Sequence, residues 1–90
     1  MKKKISVFYT ASARKDLNKL SENDAKRVVL KIKSLTTTDP LLKAKSLSGI
    51  FQGLYRYRIG DFRAVFNFDD KGMLYILTIL KIKHRKDIYK

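Results

Sequence analysis

From residue 4 onward, apolar positions recur in steps of two. Ile5, Val7 and Tyr9 alternate with Ser6 and Phe8, the period of a strand with one buried face. Past Ser12 the period lengthens. Ala13, Leu17 and Leu20 stand at i, i+4 and i+7 with Arg14, Lys15, Asp16 and Lys19 between them, which predicts a short helix. Ser21-Glu22-Asn23-Asp24 reads as a second helix start: a serine N-cap and an acidic residue three positions on satisfy free amides and offset the helix dipole. Ala25, Val28, Val29, Ile32 and Leu35 continue it as one apolar stripe. Three threonines and Asp39-Pro40 end it, because β-branched residues and the position before proline resist helical geometry. The pair predicts a helix hairpin over one face of a sheet.

Residues 41–51 read as loop, with Leu41, Leu42, Leu47 and Ile50 tucked into the edge of the core. Strands resume at Leu54, where "LYRYRIGDFRAVF" predicts two of them joined by Gly60-Asp61. A second turn spans Asp69 to Gly72, the last strand runs from Met73 to about Ile82, and the tail "KHRKDIYK" has room for one helical turn. The order is β-α-α-β-β-β, an α+β chain without repeats. At 90 residues it holds one core and one domain, 1–90.

A leading glycine favours a two-residue turn of type II′, and counting outward from Gly60-Asp61 sets Ile59 against Phe62, Arg58 against Arg63 and Tyr57 against Ala64. Tyr55, Tyr57, Ile59, Phe62, Ala64, Phe66 and Phe68 then share one face, suited to the helices, and Tyr55 and Tyr57 read as core more readily than as stacking residues. The other face carries Arg56, Arg58 and Arg63 with Val65 and Asn67. Extending the register through the second turn predicts Thr78 beside Arg63 and Ile76 beside Val65, a face apolar at one end and cationic at the other. Like charges facing across a strand pair cost roughly 0.2–1 kcal/mol. A bound phosphate reverses that sign, because guanidinium forks grip its oxygens in pairs. The alternative is a solvated edge.

Charge sharpens this picture. The chain has 21 Lys and Arg against 8 Asp and Glu, a formal net of +13, well beyond the roughly 2–8 that solubility asks for. A polyanionic partner is implied, with nucleic acid before an anionic membrane surface. Without cysteine there is neither a disulfide framework nor a thiolate metal site. His84 stands alone and Asp69-Asp70 fall in a structural turn, so neither a metal nor a cofactor is expected. The longest apolar run, Met73 to Leu80, is far below the roughly 20 residues of a membrane span, and the N-terminus has no secretory apolar segment. A soluble, cytoplasmic protein is expected.

The order strand, helix pair, "KSLSG", "LYRYRIGDFRAVF", apolar strand and "HRKDIY" resembles the RelE/ParE superfamily of toxins, in its RelE-like mRNA interferase branch. The resemblance covers the whole chain. It implies a small α+β fold with an antiparallel-rich sheet, helices on one face and a cleft on the other. RelE-type members cut mRNA in the ribosomal A site, without metal, through attack of the ribose 2′-hydroxyl on the adjacent phosphate. ParE-type members inhibit DNA gyrase and are not enzymes. Both kinds are silenced by an antitoxin, expected here as an acidic, partly disordered segment forming an amphipathic helix.

Carried over residue by residue, the resemblance implies phosphate binding by Arg56 and Arg58, with proton transfer assisted by one of them, and transition-state stabilisation by Arg63. It implies a general acid at Arg85 or His84, and a base-orienting tyrosine at Tyr89. Tyr89 alternatively anchors the tail on the core. Lysines stand in well-known members where this chain has Arg56 and Arg58, and arginine is a poor general base. Histidine is the side chain whose ordinary pKa lies near neutrality, so His84 is the alternative base, or else a plain surface histidine. Lys2, Lys3, Lys4, Lys26, Arg27, Lys31 and Lys33 are candidate rRNA contacts, or a solvated helix face. A toxin acting on mRNA with the ribosome as partner is the first reading; a gyrase inhibitor and an inactive RNA-binding module are the others.

Overall fold

Residues 4–37 and 39–84 are described by the computed structural model. Among them five strands and two helices come in the order β1 (Lys4–Tyr9), α1 (Ala11–Asn18), α2 (Glu22–Leu35), β2 (Lys45–Ser46), β3 (Tyr55–Ile59), β4 (Phe62–Asp70) and β5 (Leu74–His84). They form one sheet in the order β1-β5-β4-β3-β2. All neighbours are antiparallel except β1 and β5. This is the α+β architecture expected, with β2 as a short extra strand inside the stretch read as loop.

Local chemistry sets the helix ends. Thr10 caps α1, its Oγ1 accepting from the Ala13 amide at 3.1 Å. Ser21 caps α2, its Oγ accepting from Asp24 N at 3.1 Å, as the capping-box pattern predicts. At the far end the Thr36 and Thr37 hydroxyls donate to the carbonyls of Ile32 and Lys33, so the threonines that stop the helix also satisfy its last acceptors.

α1 lies on β5 and β1 and α2 on β3, both on the face where Tyr57, Ile59, Phe62, Ala64, Phe66, Leu77, Ile79 and Ile82 meet Ala13, Val28 and Ile32. Tyr57 and Phe66 stack with centroids 4.4 Å apart at 29°. The Tyr57 hydroxyl donates to the Pro40 carbonyl, which ties the loop after α2 to the sheet. Burial, then the Asp39 charge, pushes the Tyr57 pKa above its ordinary value, and burial alone raises that of Tyr9. Tyr55 and Tyr57 are core residues, as the alternation implied.

Four expectations are corrected. Val29 is 38% exposed, because the stripe of α2 that meets the sheet is the narrower one through Val28 and Ile32. Leu42 and Ile50 face solvent, at 69% and 93% exposure. A tight turn in which Asp39 accepts from the amides of Leu41 and Leu42 directs Leu41 inward and Leu42 out, and Ile50 sits on a one-turn 3₁₀ segment, Gly49–Phe51. The second hairpin turn is shorter than predicted: β4 runs on through Asp69 and Asp70 to pair with β5, and Lys71 N donates to Leu74 O at 2.8 Å. The register of β5 against β4 therefore differs. Thr78 faces Asn67 and Ile76 faces Asp69, while Val65 faces Lys81 and Arg63 faces Lys83.

That register contains an irregularity between Val65 and Phe66, which face Lys81 and Ile79 and leave Leu80 without an opposite number. Such a bulge reverses the alternation of the residues beyond it. Lys81 and Lys83, which unbroken alternation from Leu77 and Ile79 would turn into the core, are delivered to the open face, and Ile82 is delivered to the core. α1 seals the part of β5 that β1 no longer covers: Thr10 Oγ1 donates to Leu80 O at 3.0 Å, and the Ile82 amide donates to Asp16 Oδ2 at 3.0 Å.

Candidate functional site

The face of the sheet away from the helices gathers the cations. The β3–β4 pairing is the one counted from the turn: Ile59 opposite Phe62, Arg58 opposite Arg63, Tyr57 opposite Ala64. Gly60 has φ 60°, and no described non-glycine residue has positive φ. Positive φ at the first turn residue alone is the type II′ geometry. Two rows then cross the open face. One runs Lys45, Arg56, Val65, Lys81 and the other Arg58, Arg63, Lys83. Neither row contains a carboxylate.

The three arginines differ in setting. Arg58 is exposed. Arg56 is half-buried, and its Nε is buried with no hydrogen-bond partner among the described residues. Arg63 is only 5% exposed; its Nη1 donates to the Gly60 carbonyl at 3.0 Å and the Phe62 carbonyl at 2.9 Å. A guanidinium has five N–H donors in a planar fork, so Arg63 braces the turn with one nitrogen while its charge stays under the row. Lys81 Nζ donates to Ser12 Oγ at 2.9 Å, which draws that cation toward the start of α1.

His84 lies elsewhere. It pairs with Phe62, so its side chain takes the helix-side face, and its ring meets the Phe62 ring edge-on at 5.6 Å and 88°. The pleat thus separates His84 from Arg58, Arg63 and Lys83. Arg85 and Tyr89 lie outside the described residues, as do Lys2 and Lys3. Lys4 is exposed at the start of β1. Lys26, Arg27, Lys31 and Lys33 are exposed on α2, across the sheet from the arginine rows. Arg27 pairs with Asp24 at 3.3 Å and reaches the β3–β4 turn, its Nη2 lying 3.9 Å from where a Cβ on Gly60 would stand.

Lys45 and Lys81 escaped the sequence reading. Lys45 belongs to a strand of two residues, too short to show a period. For Lys81 a signal existed: Lys81-Ile82-Lys83 alternates in the opposite phase to Leu77-x-Ile79, and a phase reversal inside one strand marks a bulge.

These features define a small two-layer α+β domain with a basic open sheet face, and the comparisons with known proteins give its family. A family model described as the ParE toxin of type II toxin–antitoxin system, parDE, matches residues 7–89. The toxin–antitoxin complex RelBE2 from Mycobacterium tuberculosis contains a chain 30% identical to this one, with a TM-score of 0.80, covering 92% of this chain and 93% of that one. The archaeal RelE–RelB complex from Pyrococcus horikoshii gives 26% identity and a TM-score of 0.69, covering 94% and 97%. YafQ from E. coli is similar in fold alone, at 12% identity and a TM-score of 0.64, covering 97% and 100%. A search of curated proteins gave no match. The chain belongs to the RelE/ParE superfamily of toxins of type II toxin–antitoxin systems.

Proposed function

We propose that this toxin is a ribosome-dependent endoribonuclease that cuts mRNA in the A site. The observation that carries the reading is the row Arg58–Arg63–Lys83, three cations facing one another across three strands. The facing of like charges costs the fold stability, whereas an RNA phosphate placed on them receives charge-assisted hydrogen bonds.

The reaction is built on that placement. The ribose 2′-hydroxyl gives up its proton and its oxygen attacks the adjacent phosphorus, the bond from phosphorus to the 5′-oxygen breaks, and that oxygen takes a proton. The products are a 2′,3′-cyclic phosphate and a free 5′-hydroxyl. Charge builds on the phosphoryl oxygens in the transition state, and fixed cations that need not reorganise stabilise it most. Arg56 and Arg58 bind the phosphate from β3, and Arg63 and Lys83 add charge beneath it. Proton transfer falls to Arg85 and Tyr89, the C-terminal residues that the resemblance names, because His84 sits on the opposite face of the sheet from the arginines. No metal enters this scheme. The exposed cations of α2 and Lys4, together with Lys2 and Lys3 of the sequence, serve rRNA.

A second reading, gyrase inhibition, is favoured by the ParE description of the matching model and by the position of His84 on the far face from the arginines. In either case the partner is an antitoxin, of the acidic, amphipathic kind. The groove lined by Leu17, Leu20, Ala25, Val29 and Leu30 offers it an apolar seat.

Primer extension on a defined message in a purified translation system, with and without the protein, separates the readings. Cuts within A-site codons, absent on naked RNA and lost with Arg58→Ala, support the nuclease. An intact message at protein levels that inhibit DNA supercoiling by gyrase sinks it.

A further inference from the structure

On the open face the two rows of cations grade into a different surface. Phe8, from β1, is 55% exposed, although Ile5, Val7 and Tyr9 on the same strand pack against the core. Its parallel partner is Thr78, and Thr78 faces Asn67 across the next pair. Phe8, Thr78 and Asn67 therefore form a third row, with Ser6 beside Phe8 and Val65 beside Asn67, and Val65 in turn faces Arg56 and Lys81. No side-chain hydrogen bond engages Ser6, Asn67 or Thr78 among the described residues. An exposed aromatic ring thus stands on the open face of the sheet beside uncommitted hydroxyl and amide groups, one row from a track of cations.

Burial does not explain Phe8, since a threonine suits a strand as well and would expose less apolar surface there. Single-stranded nucleic acid fits it. An unstacked base covers an aromatic face, its edge reaches neighbouring amides and hydroxyls, and its phosphates need cations alongside. We infer that Phe8, Thr78 and Asn67 form a nucleobase subsite, in which the ring stacks on a base of the bound RNA while Asn67 and Thr78 read its edge. This rests on the nuclease reading for what the RNA is, and it adds a source of base preference away from the phosphate rows. A carboxamide can donate to and accept from one base edge at once, as it does with adenine, so the preference expected is for adenine.

Fluorescence anisotropy with labelled single-stranded hexanucleotides of different sequence tests this on the intact protein. Phe8→Leu should weaken binding roughly tenfold and Phe8→Trp should restore it. The slope of affinity against salt should stay unchanged, because no phosphate contact is lost. Asn67→Ala should flatten the ranking among bases. Wild-type affinity and ranking in Phe8→Leu, or failure of the wild type to bind RNA, would overturn the subsite; so would an effect of Phe8→Leu confined to antitoxin binding. The translation assay is read separately. Phe8-dependent RNA binding without A-site cleavage removes the nuclease reading and keeps the subsite, and cleavage with Phe8-independent binding does the reverse.

Discussion

Arg58 and Arg63 stand directly opposite each other across the β3–β4 pair, and yet they are held in different ways. Arg58 is exposed, while Arg63 is buried and donates to the carbonyls of Gly60 and Phe62. Replacing one therefore tests chemistry, and replacing the other tests chemistry and folding together.

Arg58→Gln removes a like-charge contact and little else. The variant should be as stable as the wild type or more so, by up to roughly 1 kcal/mol, in a urea titration. Message cleavage should fall by on the order of 10²-fold, the typical cost of losing one preorganised transition-state donor. A variant that is both less stable and fully active would contradict the role given to this row.

Arg63→Ala should lower stability by about 1–3 kcal/mol, because the turn carbonyls lose their donor inside the protein. Arg63→Lys should recover part of it, having the charge without the fork. Thermal unfolding of both variants, alongside cleavage corrected for the folded fraction, separates the bracing role from the catalytic one.

Asp16 closes the edge of β5 where β1 stops, by accepting from the Ile82 amide. Asp16→Ala should cost about 1–3 kcal/mol and speed hydrogen exchange at Ile82, whereas Asp16→Asn, which keeps an acceptor, should protect that amide. Exchange measured by NMR decides. Equal protection in Ala and Asn variants would show that the carboxylate does not hold the strand.

Alkaline pH should unfold the protein through its buried tyrosines. The pKa values of Tyr57 and Tyr9 are raised in the folded state, so the neutral form is favoured there. Above the ordinary tyrosine pKa of about 10 the unfolded chain binds fewer protons than the folded one, and stability falls as pH rises. Tyr57→Phe should be less sensitive as pH rises above about 10, that ordinary value. Unfolding midpoints measured across that rise in pH give the slopes.

The parts of this molecule governed by neighbours along the chain were legible in its sequence. The two-residue period of β1, the capping serine of α2, the threonines that end it, and the Gly60-Asp61 turn all depend on contacts within a few residues, and each expectation about them agrees with the structure. Because that turn fixes a register by counting, the facing of Arg58 and Arg63 and the burial of Tyr57 beneath them were legible too.

Features that depend on contacts distant in sequence were decided only by the tertiary structure. How far β4 runs before turning, where Leu80 is passed over, and hence that Lys81 and Lys83 join the arginines while His84 crosses to Phe62, all result from one strand sliding against another until Ile79 and Ile82 both reach the core. A shift of one residue reverses every side chain in a strand, so the composition of the open face was settled by that packing, not by the local pattern of the strand.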